Sequence, residues 1–258
     1  MRLSLCAKLI FLTFIFYEAN CPASPTALNT DPKDGLSFFR YNENYFITGK
    51  EQTKIQLSFK VQMISDWGFF LGYTQLMFWD IGVGNSHFSD VNYNPEIFYN
   101  WHIDNWSFKE INLSPIEHKS DGEYLANARS WNRAYISLVN EFSFLHLNVL
   151  TESKFFYIYE LDDTNSEVQR KLGYFEFGMN FENLLPGIFY RNELSIKIVP
   201  GGVFSLQQNE GHQEVAFKMK LQIPRLNPSI YMQVFNGTDE SLLYYTRTAT
   251  SYRIGLAF

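Results

Sequence analysis

Cysteine is nearly missing from this chain. There are two, Cys6 and Cys21, and none after residue 21, which excludes a disulfide framework in the body of the protein. Long apolar runs are missing too. Past the N-terminus nothing approaches about 18 consecutive apolar residues, so no transmembrane helix is expected. Positive charge is in deficit, with 21 Lys and Arg against 27 Asp and Glu and a net charge of -6. That balance offers no basic face to nucleic acid, and the class is set aside.

Aromatic side chains, by contrast, are abundant. Phe, Tyr and Trp make up 18% of the residues while the mean hydropathy is only -0.19. Both values fit alternation of apolar and polar residues better than apolar blocks. Ile55, Leu57, Phe59, Val61 and Met63 interleave with Gln56, Ser58, Lys60 and Gln62. Val215, Phe217, Met219, Leu221 and Ile223 do the same near the other end, and shorter copies run through Phe175, Leu194 and Tyr252. These are amphipathic strands.

Connections between the runs are alternately tight, as at Ser65-Asp66, Asn140-Glu141 and Pro224 to Asn227, and long, as at Asp80 to Asp90, Leu161 to Lys171 and Thr238 to Thr248. Short turns at one end with long loops at the other are the pattern of a membrane barrel. The expectation is an all-β fold, a transmembrane antiparallel β-barrel of about twelve strands. They cover Phe38–Thr48, Lys54–Ile64, Trp67–Trp79, Val91–Ile103, Trp106–Ser120, Ser130–Val139, Phe142–Tyr159, Leu172–Phe181, Asn192–Leu206, Gln213–Ile223, Ser229–Gly237 and Ala249–Phe258. An even number closes without a free edge. Trp67, Trp79, Trp101, Trp106 and Trp131 fall near run ends, where interfacial girdles lie.

The start of the chain is of another kind. Met1-Arg2, an apolar stretch from Leu9 to Tyr17 and small or turn-forming residues through Pro25 read as a secretory signal peptide over about residues 1–23. Cleavage is expected between Ala19 and Ala27, leaving 24–258 as one barrel domain. The apolar core is shorter than the roughly 20 residues a spanning helix needs.

Chemistry concentrates at His118-Lys119-Ser120-Asp121-Gly122 and Arg129-Ser130-Trp131-Asn132-Arg133. In a strand His118 and Ser120 share one face, close enough for an imidazole to take a hydroxyl proton. Ile116 has their parity, whereas Glu117, Lys119 and Asp121 have the other, so the reactive pair lies on the apolar side. Asn132 shares parity with apolar Ala134, Ile136 and Leu138 and would hold the ring of His118 if the two runs pair. Upstream, Ile111 and Leu113 have odd parity. The apolar face therefore changes register at Ser114-Pro115, where a β-bulge is expected to re-aim the strand. An H-x-S pair alone is usually accidental; the shared apolar parity and the Arg-Ser-Trp-Asn-Arg context are what single this one out.

These stretches resemble the outer-membrane phospholipase A family of Gram-negative bacteria, which carries H-x-S-N-G and R-S-W-N-R at this spacing. Tyr73-Thr74-Gln75, Asn92-Tyr93-x-Pro95 and the segment from Tyr231 to Tyr245 follow in the family's order. The resemblance implies a twelve-stranded barrel in the bacterial outer membrane that hydrolyses acyl esters of glycerophospholipids and lysophospholipids on its lipid-facing wall. It implies Ser120 as nucleophile, His118 as general base, Asn132 as the residue orienting it, and the Gly122 amide as an oxyanion donor beside calcium-held water.

At the metal the chain departs from the family. A serine ligand of the family falls on Ala128, with Asn127 beside it, while the backbone carbonyl ligand falls on Glu123 and the partner-subunit serine near Asn85 or Ser86. The ligands implied are Glu123, Ser86 and Asn127. The resemblance further implies a homodimer when active. Gln75, a lone polar group among outward Phe69, Leu71, Tyr73 and Met77, is the interface residue this reading selects. The competing reading is a non-catalytic channel or adhesin barrel, in which lumenal Lys60, Lys218 and Lys220 matter more than His118. A further one is a barrel hydrolase of another ester, such as acylated lipid A.

Overall fold

The alternating runs become an antiparallel sheet closed on itself. The computed structural model describes residues 37–258 apart from 65–66, 82–85, 104–107, 125–127, 145–146, 162, 206, 208 and 224–226. The signal peptide, Trp106 and Asn127 lie outside the described residues. The strands are β1 (Ser37–Arg40), β2 (Tyr45–Gly49), β3 (Thr53–Gln62), β4 (Phe69–Trp79), β5 (Phe88–His102), β6 (Glu110–Ser120) and β7 (Ser130–Phe144). They continue with β8 (Leu147–Leu161), β9 (Phe175–Glu182), β10 (Asn192–Pro200), β11 (Gly211–Lys220), β12 (Ser229–Gly237) and β13 (Ala249–Ala257). Pairing runs in sequence order from β3 to β13, and β13 returns to β2, which pairs β3.

β1 and β2 are one interrupted strand. Both lie on the same edge of β3, β1 against Phe59–Gln62 and β2 against Lys54–Gln56, so the barrel has twelve strands as expected. Across the gap, side chains replace the ladder: the Ser58 N–H donates to Asn44 Oδ1, Asn44 Nδ2 donates to the Ser58 carbonyl, and the Asn42 N–H to Ser58 Oγ. Closure leaves no long row of unpaired amides, which hydrocarbon would penalise heavily.

The two faces of the wall differ as the alternation requires. Leu57, Phe59, Leu71, Ile97, Ile136, Phe155, Val234, Ile254 and Leu256 are large, apolar and exposed, the band that meets lipid. Inside, charge is paired. Arg133 binds Glu117 through two hydrogen bonds of 2.8 and 2.9 Å and Glu176 through one of 2.6 Å. Lys54 donates to Gln233 at 3.0 Å and lies 3.5 Å from Glu214 and 3.6 Å from Glu240. A cavity of about 590 Å³ remains inside the barrel, lined by Lys54, Glu117, Arg133, Glu176 and Glu214 among others.

Several boundaries differ from expectation. β7 does not turn at Asn140-Glu141: Asn140 pairs Thr151 and Glu141 pairs Leu150, and Glu141 also holds Lys109. A polar dipeptide past the lipid zone extends a strand as well as it turns one. The expected long connection from Leu161 carries a 3-10 turn (Asp163–Asn165) and a short helix, α1 (Val168–Leu172), which takes the start assigned to the next strand. β10 ends at Pro200, where Gly201 and Gly202 follow. Trp131 is buried with Tyr135, Phe156, Val168 and Leu242 rather than standing in the interfacial girdle, because its parity is that of inward Arg133.

Candidate active site

Pro115 opens the site. Between Ser114 and Glu117 the β6–β7 register slips by one residue, so that Ser114 and Glu117 both point inward across the bulge. Ser114 Oγ donates to the Ile97 carbonyl at 2.9 Å, and Glu117 takes Arg133. After the bulge the inward places go to Glu117, Lys119 and Asp121, and His118 and Ser120 fall on the outer wall with exposed Ile116.

β7 supplies the partner. His118 stands directly opposite Asn132 and Ser120 opposite Ser130. His118 Nδ1 and Asn132 Oδ1 are 2.8 Å apart. Asn94 Nδ2 donates to the His118 carbonyl at 2.6 Å, which fixes the backbone beneath the ring. Asn132 is held in turn: its Nδ2 donates to Glu160 Oε2 at 2.7 Å. Asn94 and Glu160 had no role in the sequence reading.

The loop after β6 is tied at its base. Asp121 Oδ1 accepts the N–H groups of Glu123 and Arg129, both at 3.1 Å. Gly122 has φ +71, the left-handed region, and a Cβ there would lie 2.8 Å from the Tyr93 ring, so glycine is required twice over. Tyr93 pairs Ser120 across β5 and forms one side of the site, with Gln75 beyond it on β4. The row Gln75, Tyr93, Ser120, Ser130 crosses four adjacent strands, so Gln75 sits two strand spacings, about 10 Å, from the candidate nucleophile. Gln75 is on the outward face but not isolated, because the Tyr73 hydroxyl donates to its Oε1 at 3.1 Å.

Metal donors are oxygens. Among the described residues no three His, Cys, Asp or Glu side chains converge on a point. One carboxylate oxygen, Asp121 Oδ2, is buried with no hydrogen-bond partner next to the Gly122-Glu123 backbone, which suits a hard cation nearby. Glu123 is exposed, as is Ser86 just before β5 at the same end of the barrel. The Ala128 carbonyl is already engaged by Arg129, at 2.8 Å, and by the Thr164 hydroxyl. Lys119 Nζ lies 3.9 Å from Asp239, beyond β12, whose carboxyl burial holds above the usual range while Lys119 and Arg133 pull it down. The same loop is seated by Asp90, which accepts from Ser241 Oγ and from the Leu243 N–H at 3.2 Å.

A family model described as phospholipase A1 matches residues 11–258. The chain is 26% identical over 238 residues to the phospholipase A1 of Salmonella typhimurium, covering 87% of this chain and 74% of that one. It is 25% identical, with the same coverage, to that of Escherichia coli. Among solved structures it is similar to the Salmonella typhi outer membrane phospholipase, a dimer with bound calcium, at 23% identity and a TM-score of 0.70 over 88% of this chain and 93% of that one. The outer membrane phospholipase A of Escherichia coli matches with a TM-score of 0.69 at 22% identity, over 86% and 94% of the two chains.

Proposed function

This chain belongs to the phospholipase A1 family, and on that premise we propose an outer-membrane hydrolase of phospholipid and lysophospholipid acyl esters that works through Ser120, His118 and Asn132 on the lipid-facing wall. The observation that carries this reading is the 2.8 Å contact of His118 Nδ1 with Asn132 Oδ1, two residues from Ser120 on the same outward face. An amide oxygen only accepts, so Nδ1 keeps the proton and Nε2 keeps its lone pair. Nε2 takes the Ser120 proton as Oγ attacks the ester carbonyl, and the Gly122 N–H donates to the oxygen that becomes negative. Collapse breaks the acyl–oxygen bond, His118 returns the proton to the departing lysophospholipid, and water then releases the fatty acid from Ser120.

Calcium fits the donors available: the Glu123 carbonyl, Asn127, and Ser86 from a second copy would hold it, and when bound it supplies positive charge at the oxyanion. A second copy packed on the wall around Gln75 would cover Tyr93 and the acyl-chain side of Ser120, which supports a homodimer as the active form. The test is fatty-acid release from phospholipid in detergent micelles, with and without a calcium chelator. Wild type is expected to be active only with calcium, and Ser120→Ala to lose about 10⁴-fold or more. A wild type inactive with calcium would move the protein to the channel or adhesin class, and a fully active Ser120→Ala would remove Ser120 as the nucleophile.

A further inference from the structure

The geometry points to Glu160 as a fourth member of the site, a positioning residue that sets which way the Asn132 amide faces. This inference rests on the hydrolase reading above.

β8 reaches Asn132 only through a second bulge. Asn132 pairs Glu160, but the next residue, Arg133, pairs Ile158, so Tyr159 is the extra residue in the ladder. Phe156 and Ile158 point inward and are buried. Continued alternation would carry Glu160 to the same inward face, where Glu117 and Glu176 already share Arg133. The extra residue reverses that parity. Glu160 emerges on the outer wall, exposed, directly across from Asn132, and accepts its Nδ2 at 2.7 Å. Leu161 ends β8, so this row lies at the rim of the barrel, where a carboxylate meets headgroups rather than hydrocarbon.

The chemistry of the pair is directional. An amide presents an acceptor on one side and donors on the other, and by rotating half a turn it can show either to His118. With Nδ2 toward His118, Nδ1 would have to be the accepting nitrogen, Nε2 would carry the proton, and the base would be lost. A carboxylate accepts and never donates, so Glu160 holds Nδ2 to itself and leaves Oδ1 for His118. Outer partners of metal-bound imidazoles matter by about 10- to 100-fold, and Glu160, which acts on His118 through an amide, is expected at the lower end of that range.

The test is steady-state hydrolysis by refolded wild type, Glu160→Ala, Glu160→Lys, Asn132→Ala and the Asn132→Ala/Glu160→Ala pair, with Ser120→Ala as the blank. Glu160→Ala is expected to lower kcat roughly tenfold, with KM and the thermal midpoint of the barrel unchanged. Glu160→Lys, which offers donors to Oδ1 and turns the amide over, falls below Glu160→Ala. In the Asn132→Ala background removing Glu160 has no further effect, because there is no amide left to orient. An inactive wild type would refute the hydrolase reading itself. An active wild type with Glu160→Ala at full kcat, Glu160→Lys no worse than Glu160→Ala, or a Glu160 effect undiminished without Asn132, overturns the assignment.

Discussion

From β10 to β13 the three ladders each run through nine residue pairs without a slip. From β5 to β8 each of the three ladders slips once, at Ile97/Tyr99, at Ser114/Glu117 and at Asn132/Arg133. Both halves are the same wall, with apolar residues outward and paired charge inward. The regular half sorts side chains by parity alone, so polar groups fall inside along most of each strand and stand outward in the row Gln213, Asn236 and Thr250 near one end. The irregular half breaks parity at chosen rows, and that is how an imidazole, a hydroxyl, an amide and a carboxylate come to stand together on a face that otherwise takes Leu, Ile and Phe.

Shifting parity within the irregular half is the harshest way to break this contrast. One alanine inserted between Glu117 and His118 leaves Ser114 and Glu117 inward and turns His118 and Ser120 inward, with His118 moved from Asn132 to Trp131 in the ladder. Hydrolysis is expected to fall by about 10³-fold or more, since nucleophile and base leave the lipid face together. The barrel should survive, read as an unchanged heat-dependent shift in gel mobility. Deleting Pro115, the extra residue of the bulge, keeps Glu117 inward and His118 and Ser120 outward and is expected to cost far less.

The next effect is on stability. Arg133→Met leaves Glu117 and Glu176 facing each other in the interior, and a broken buried ion pair costs about 3–5 kcal/mol. A urea titration in lipid vesicles should show the midpoint fall accordingly. Removing the exposed Arg247–Glu51 pair, a surface contact 3.1 Å long, should move it by less than about 1 kcal/mol.

The smallest expected change concerns association. Gln75→Leu leaves the Tyr73 hydroxyl without its acceptor and removes one polar group from the wall that a second copy would cover. Polar side chains across membrane interfaces contribute about 0.6–2 kcal/mol, so the dimer constant should weaken roughly 3- to 30-fold, read by sedimentation in detergent. An equal weakening from a substitution at Val234 on β12, four strands round the barrel from β4, would show that the interface lies elsewhere.

The contrast also explains what could be read from the residues. Regular strands were legible because burial by parity is a local rule: Ile55 to Met63 and Val215 to Ile223 announce themselves. The β6 bulge was legible too, because Pro115 marks it and the apolar face changes parity across it. The β8 bulge carries no such mark. Tyr157, Ile158 and Tyr159 are apolar or aromatic on both faces, so the sequence does not reveal which one is the extra residue, and Glu160 was left beyond the end of the expected strand. The break between β1 and β2 was hidden for a similar reason. Asn42 and Asn44 do the work of a ladder through side chains, which depends on Ser58 being opposite. Trp131 was misplaced because aromatic residues near strand ends suit both the girdle and the interior, and here its stacking beside Arg133, 4.8 Å from ring centre to guanidinium, takes it inside.

The most direct test of the account is where a serine-directed lipid fluorophosphonate lands on the refolded protein, mapped by mass spectrometry. The account predicts one adduct, on Ser120, whose formation is lost in His118→Ala. An adduct on Ser130, directly opposite in the ladder, or labelling of Ser120 at the same rate without His118, would contradict it.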